Sequence, residues 1–304
     1  VPELPEVEAA RRGIAEQLVG RRCTGYELYR PRLIIAPGGL TLDAIVGDPL
    51  QEVGRWGKYL WLVFPLLALL VHLKLTGQLV ARGASIPGFA AGHPVPPYDA
   101  PLPHKSTALR LDFAPDVQLF LTDVRHFARV QLVLPEELQT TVASLGLGPD
   151  ALGPEFTLEA LRRRLARRRG TSLKAALLDQ TVIAGLGNIY VDESLWAAQL
   201  HPQRLVGSLT DEEIARLYEA IRSVLAIAVP IGGAEIRNGR AVPPLGEFPY
   251  VHGRAGQPCV RCATPIVKRT IAGRGTYFCP SCQPEPVTSS LPTTDRADAA
   301  IAAS

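Results

Sequence analysis

The sequence predicts an α+β fold: an N-terminal β-sandwich or flattened barrel carrying one helix, then a helical domain that ends in a compact cysteine-bearing unit. Three observations predict it. Short runs with alternating apolar residues dominate up to Leu134, helical spacing takes over after Pro135, and two Cys-x-x-Cys pairs follow near the C-terminus. A length of 304 residues fits two domains at ~150 residues each. Hydrophobic residues make up 47% and charged residues 20%, which excludes wholesale disorder.

In chain order, Pro5 to Leu18 reads as a helix, with proline at its first turn, Glu6 and Glu8 beside it and arginines following. Gln51–Phe64, Ala68–Val80, Thr107–Phe113, Val117–Thr122 and Ala128–Leu134 read as strands. The longest apolar run, Tyr59 to Leu73, contains Pro65 and falls short of the ~20 residues a spanning helix needs, so two buried strands around a turn are expected. Gly83–Pro103, rich in Pro, Gly and Ala, is expected to be an exposed loop. Thr157–Arg168, Leu173–Gln180, Ile189–Gln199 and Asp211–Val229 have helical spacing, the last preceded by a capping sequence from Ser208. The expected division is a sandwich over 1–134, a linker over 135–150, a helical domain over 151–252, a cysteine unit over 253–283 and a disordered tail over 284–304.

Net charge is +3, a mild excess that permits nucleic-acid binding without demanding it. The first residues are prolines and carboxylates rather than an apolar leader, so a cytoplasmic protein is expected. The chain has no methionine and is written from Val1, as a GTG start codon translated literally would give.

Four motifs carry chemistry. Cys259-Val-Arg-Cys262 and Cys279-Pro-Ser-Cys282, sixteen residues apart, form two knuckles suited to one tetrahedral zinc; a disulfide pair is the alternative. The hairpin between them is basic, with Arg274 near its tip. Gly185-Leu-Gly-Asn188 joins two helical stretches, where glycine turns let backbone N–H groups converge on an anion, with Asn188 as a further donor; a plain tight turn is the alternative. Arg162 to Arg169 is either a solvated face or a phosphate-neutralising one. Finally, removal of residue 1 leaves Pro2 with a free secondary amine beside Glu3. At the reference α-amino pKa of ~8, roughly 10% is neutral at pH 7, far more than for lysine at ~10.4. Such an amine is a ready nucleophile for an aldehyde-level carbon.

Together these residues resemble the formamidopyrimidine-DNA glycosylase and endonuclease VIII superfamily, from the N-terminus to about Gln283. Pro2-Glu-Leu-Pro-Glu-Val-Glu8 resembles the formamidopyrimidine branch. Leu173 to Gln180 with Gly185 to Leu195 is similar to the family's helix–two-turn–helix signature, and Gly273 to Cys279 to the end of its zinc finger. The resemblance implies a bifunctional glycosylase and abasic-site lyase of base excision repair. It would remove oxidised purines such as 8-oxoguanine and formamidopyrimidines through a Pro2 Schiff base. Glu3 is then the proton donor, Lys58 serves β-elimination and Arg274 δ-elimination. It implies damaged double-stranded DNA as partner, one structural zinc, a monomer, and action at the nucleoid.

The resemblance further implies DNA contacts at His104, Arg125, Arg169, Lys174 and Asn188. Leu75 would stand where the family has a wedge methionine, and Phe127 would wedge between bases beside Arg125, filling the void of a flipped nucleotide. Val124, His126 and the stretch from Gly232 to His252 depart from the family pattern, the last in its lesion-capping loop. Two rivals remain: an endonuclease VIII-like enzyme for oxidised pyrimidines, and a lesion-binding protein that does not cut.

Overall fold

The computed structural model describes residues 2–285; the expected disordered tail lies, beyond residue 285, outside the described residues, as does Val1. Helix α1 (Leu4–Leu18) leads into ten strands: β1 (Cys23–Leu28), β2 (Ile34–Ile35), β3 (Glu52–Trp56), β4 (Tyr59–Val63), β5 (Ala68–His72), β6 (Gly77–Arg82), β7 (Phe89–Gly92), β8 (Thr107–Phe113), β9 (Val117–Asp123) and β10 (Arg129–Val133). They form two five-stranded sheets of order β1-β8-β9-β6-β7 and β2-β10-β5-β4-β3. All pairings are antiparallel except β2 with β10. The facing sides share one core, in which Leu60, Leu62, Leu69 and Val71 meet Leu79, Leu109, Leu111, Leu119 and Leu121. This is the expected sandwich.

Two of the expected strands are divided. Gln51–Phe64 turns at Gly57-Lys58 between β3 and β4, where Gly57 has φ +58°. Ala68–Val80 breaks after His72, sending β5 and β6 into different sheets through a turn that contains Leu75. Apolar alternation runs through the second break at Leu73 and Leu75, so periodicity alone does not reveal it.

The segment Gly83–Pro103 is more than an exposed loop. It contains β7, which pairs with β6 and lays Phe89 over α1 at Gly13, where an added Cβ would fall 2.5 Å from the ring. The expected linker likewise contains a helix, α2 (Leu138–Ser144). Its Leu138 and Val142 cover the outer face of the second sheet at Trp61, Ala68 and Leu70.

The helical part consists of α3 (Leu158–Leu165), α4 (Leu173–Leu178), α5 (Asn188–Ala197) and α6 (Asp211–Ala228). Thr210 and Glu213 close a capping box at the start of α6. Leu165, Leu173, Leu177, Tyr190, Leu217 and Ile221 make a second core. Helix α1 spans both cores: Leu4 belongs to the second, while Val7, Ala10 and Ile14 belong to the first. Two short hairpins complete the fold, β11 (Ile236–Arg237) with β12 (Arg240–Ala241) and β13 (Val267–Ile271) with β14 (Arg274–Phe278).

Candidate active site and nucleic-acid interface

The N-terminus is fixed between the two cores. Leu4 N–H donates to Gly185 O at 3.1 Å, and Glu3 N–H to Glu6 Oε2 at 2.8 Å. The Glu3 side chain accepts from Ile189 N–H at 3.0 Å and Tyr190 N–H at 3.4 Å, at the N-terminal end of α5. The anion met just after the Gly185-Leu-Gly-Asn188 turn, by the first N–H groups of α5, is thus the chain's own Glu3 carboxylate. A Cβ on Gly187 would lie 2.3 Å from Glu3 Cδ, so glycine is needed there for close approach.

Glu6, 6% exposed, is buried beside it. Tyr190 O–H donates to its Oε1 at 2.5 Å and Ala234 N–H at 3.1 Å. Burial, reinforced by the negative charge of Glu3, raises its pKa to about 7. Lys58, at the β3–β4 turn, is half-buried. Desolvation pushes its pKa below the ordinary lysine value, with Arg274 acting in the same direction and Glu3 and Glu6 opposing it. Arg274 comes from the far end of the chain. It follows a two-residue turn, Ala272-Gly273, with both φ values positive, and β14 is fastened to α5 by Asn188 Nδ2 donating to Gly275 O at 2.8 Å. Glu3 and the strand carrying Arg274 therefore meet at the start of α5, and Lys58 lies within electrostatic reach of Glu3, Glu6 and Arg274.

Beside them lies a cavity of about 470 Å³, lined by Glu3 and Glu6, by His93 and Val95, by Asn188 and Ile189, and by Ile236, Asn238 and His252. Sequence reasoning left Glu6 as a helix-start acid and did not single out His93. The Glu6 signal was its place three residues after Glu3, where a capping-box acid belongs. His72 was missed too. It ends β5 opposite Tyr59, and burial together with Lys74 and Lys58 lowers its pKa to about 3, so it is neutral beside Lys58.

Lys174 lies inside the protein. Expected near DNA phosphates, it is 0% exposed, and its Nζ pairs with Asp192 Oδ1 at 2.6 Å. The other Asp192 oxygen meets His252 Nδ1 at 2.8 Å and accepts from Tyr277 N–H at 3.1 Å. This buried ion pair turns the ammonium toward Asp192 rather than the surface, and it ties α4, α5 and β14 together. Asn188 faces the cavity but spends its amide on Gly275, leaving Oδ1 buried without a partner among the described residues.

A second cluster sits at the sandwich edge. The Asp123 carboxylate, 1% exposed, accepts from the backbone N–H of Arg125, Phe127 and Ala128 at 3.1, 2.7 and 2.7 Å, and from the Thr76 hydroxyl. It thereby locks the 124–127 loop to the turn carrying Leu75. Phe127 stands 43% exposed with the Arg125 guanidinium 4.9 Å above its ring. Asp123 thus fixes the backbone from which Phe127 projects. His104 is half-buried on the β7–β8 connection, and Arg169 is exposed after α3.

The four cysteines of the terminal unit have sulfurs all within 4.8 Å of one another, with Cys262–Cys279 at 3.4 Å and Cys259–Cys282 at 3.9 Å. Tetrahedral zinc at ~2.3 Å from each sulfur needs edges near 3.8 Å, so the donor set fits one structural zinc with no open position. Trp196 donates its indole N–H to Cys259 Sγ at 3.4 Å, anchoring the unit on α5.

Three family models match the chain: the formamidopyrimidine-DNA glycosylase N-terminal domain over residues 1–130, the formamidopyrimidine-DNA glycosylase H2TH domain over 147–239, and a zinc finger found in FPG and IleRS over 256–284. The formamidopyrimidine-DNA glycosylase of Pelotomaculum thermopropionicum is 40% identical over 290 residues, covering 93% of this chain and 99% of the relative. That of Symbiobacterium thermophilum is 40% identical over 292 residues, covering 94% and 90%. Among solved structures, wild-type Lactococcus lactis Fpg bound to DNA containing N7-benzyl-Fapy-dG matches with a TM-score of 0.80 at 33% identity, covering 93% of this chain and 100% of that one. MutM bound to DNA containing carbocyclic 8-oxo-G matches with the same score, identity and coverage.

Proposed function

The chain belongs to the formamidopyrimidine-DNA glycosylase family, and from that premise we propose that it excises oxidised purines from duplex DNA and then cleaves the strand. One observation supports the reading: a buried Pro2-Glu3 beside a base-sized cavity, with the charges of Glu3, Glu6 and Arg274 all acting on the Lys58 amine. An amine cannot reach an anomeric carbon while its base is stacked, so the nucleotide is flipped and the base enters the cavity.

Pro2 nitrogen attacks C1′. The N–C1′ bond forms, the glycosidic bond breaks, and the base leaves with a proton. Glu3, held against Ile189 and Tyr190, takes up a proton from solvent and passes it to the sugar oxygen as the ring opens. The resulting iminium is an electron sink. Loss of the C2′ proton then expels the 3′ phosphate, with the desolvated amine of Lys58 assisting, and Arg274 assists the second elimination at the 5′ side. Phe127, Leu75 and Arg125 fill the space left in the duplex, while His104 and Arg169 meet phosphates. Zinc supplies no chemistry here; it holds the hairpin that delivers Arg274. All these groups come from one chain, so a monomer suffices, and a chromosomal substrate places its action at the nucleoid.

The test compares single-turnover cleavage of duplexes carrying 8-oxoguanine or thymine glycol, with and without borohydride. Preferential cleavage and covalent capture of the 8-oxoguanine duplex is expected. Preference for thymine glycol would move the chain to oxidised pyrimidines, and binding without capture would make it a non-cutting lesion binder.

A further inference from the structure

We infer that His93, on the segment between β7 and β8, is a specificity-determining residue that hydrogen-bonds the extruded base. The inference rests on the proposed glycosylase function, since it assigns the occupant of the cavity as a base.

His93 lines that cavity together with Glu3 and Glu6. Its place is specified by buried hydrogen bonding rather than left to a loop. His93 N–H donates to Gly77 O at 3.0 Å. The side-chain amide of Gln78, 1% exposed, donates to His93 O and to Pro96 O, each at 2.9 Å, while its Oε1 accepts from Thr122 Oγ1 at 2.9 Å. Tyr98 O–H adds a bond to Gly92 O at 3.0 Å. Gly92 has φ +113°, and a Cβ there would lie 2.6 Å from Gly77 O, so the chain is pressed against β6 just before the histidine. A buried amide that spends both donors on one segment fixes that segment's position.

The ring itself is half-anchored. Nδ1 lies 3.2 Å from both the N–H and the carbonyl oxygen of Val95, so the peptide can fix either tautomer. Among the described residues no hydrogen bond engages Nε2, and burial keeps the imidazole below its ordinary pKa. A neutral ring of this kind offers one donor or acceptor to a base edge. His252, across the same cavity, instead has its Nδ1 engaged by Asp192. Other polar groups around the cavity are largely committed: Glu3 to α5, Glu6 to Tyr190 and Ala234, and Asn188 to Gly275.

An abasic site has no base for His93 to read, which gives the experiment an internal reference. Single-turnover cleavage is measured for the unaltered protein, His93→Ala and His93→Gln on duplexes carrying 8-oxoguanine or a preformed abasic site. His93→Ala should lower the ratio of 8-oxoguanine cleavage to abasic cleavage about tenfold, the scale of one lost hydrogen bond, and His93→Gln should recover part of it. An unchanged ratio, whether both rates hold or both fall together, would overturn the assignment of His93 alone. Failure of the unaltered protein to cleave either duplex would overturn the function on which it rests.

Discussion

Glu3 and Ile189, 186 positions apart, are joined by a single hydrogen bond in which the Ile189 N–H donates to Glu3 Oε1 at 3.0 Å. That bond seats the N-terminus on the start of α5, and the glycine before Asn188 makes room for it. Gly187→Ala puts a methyl 2.3 Å from Glu3 Cδ, and relief requires Glu3 to leave α5. Overpacking of this kind costs ~1–3 kcal/mol. The expected outcome is a modestly lowered melting temperature with a much larger loss of borohydride capture on an abasic duplex. Capture that falls only in step with the folded fraction would show that this contact does not position the reacting end.

Glu6 sets a pH dependence whose sign is fixed. Its pKa rises from 4.5 to about 7, with burial first and Glu3 second among the causes. The folded state therefore holds a proton that the unfolded chain releases near 4.5. The resulting stabilisation is present below about 4.5 and is lost as pH rises through about 7, on the order of 3 kcal/mol in all. Glu6→Gln, always neutral, should remove that slope. Denaturant titrations of both proteins from pH 4.5 to 8 check it; parallel curves would mean that Glu6 is ionised throughout.

The zinc unit holds Arg274 rather than reacting. Cys279→Ala removes one of four sulfurs and, next to it, the Cys279 N–H bond to Gln283 Oε1 at 3.0 Å loses its frame. Loss of bound zinc, loosening of residues 253–283 and loss of duplex binding are expected, with the sandwich intact. Metal analysis, a duplex-binding titration and limited proteolysis read all three. Active protein containing no zinc would remove the metal from the account.

Much of this was legible because the sequence carries chemical constraints in its spacing. Two Cys-x-x-Cys pairs fit one tetrahedral site, and alternation marked the sandwich strands. The hidden parts are those where a site residue interrupts a regular pattern. Lys58 and Leu75 sit at turns between strands that each carry buried apolar residues, so each pair of strands reads as one run. Lys174 finds its partner Asp192 on α5, 18 positions away, a pairing that depends on tertiary contact. His93 lies in a Pro- and Gly-rich stretch whose order comes from Gln78 and Thr122, residues of other strands. The anion expected at Gly185-Leu-Gly-Asn188 proved to be Glu3, an internal carboxylate that local sequence cannot reveal.

The central claim is that the Pro2 nitrogen forms the covalent bond to DNA. An amide nitrogen has its lone pair delocalised, so Pro2 reacts only when no residue precedes it. The direct measurement pairs intact-mass analysis with borohydride capture on an 8-oxoguanine duplex, followed by peptide mapping of the adduct. Protein beginning at Pro2 should be captured, with the adduct on its N-terminal peptide, and protein extended by a tag should fold and hold zinc without capture. Equal capture by the extended protein, with the adduct mapped to Lys58, would contradict the claim.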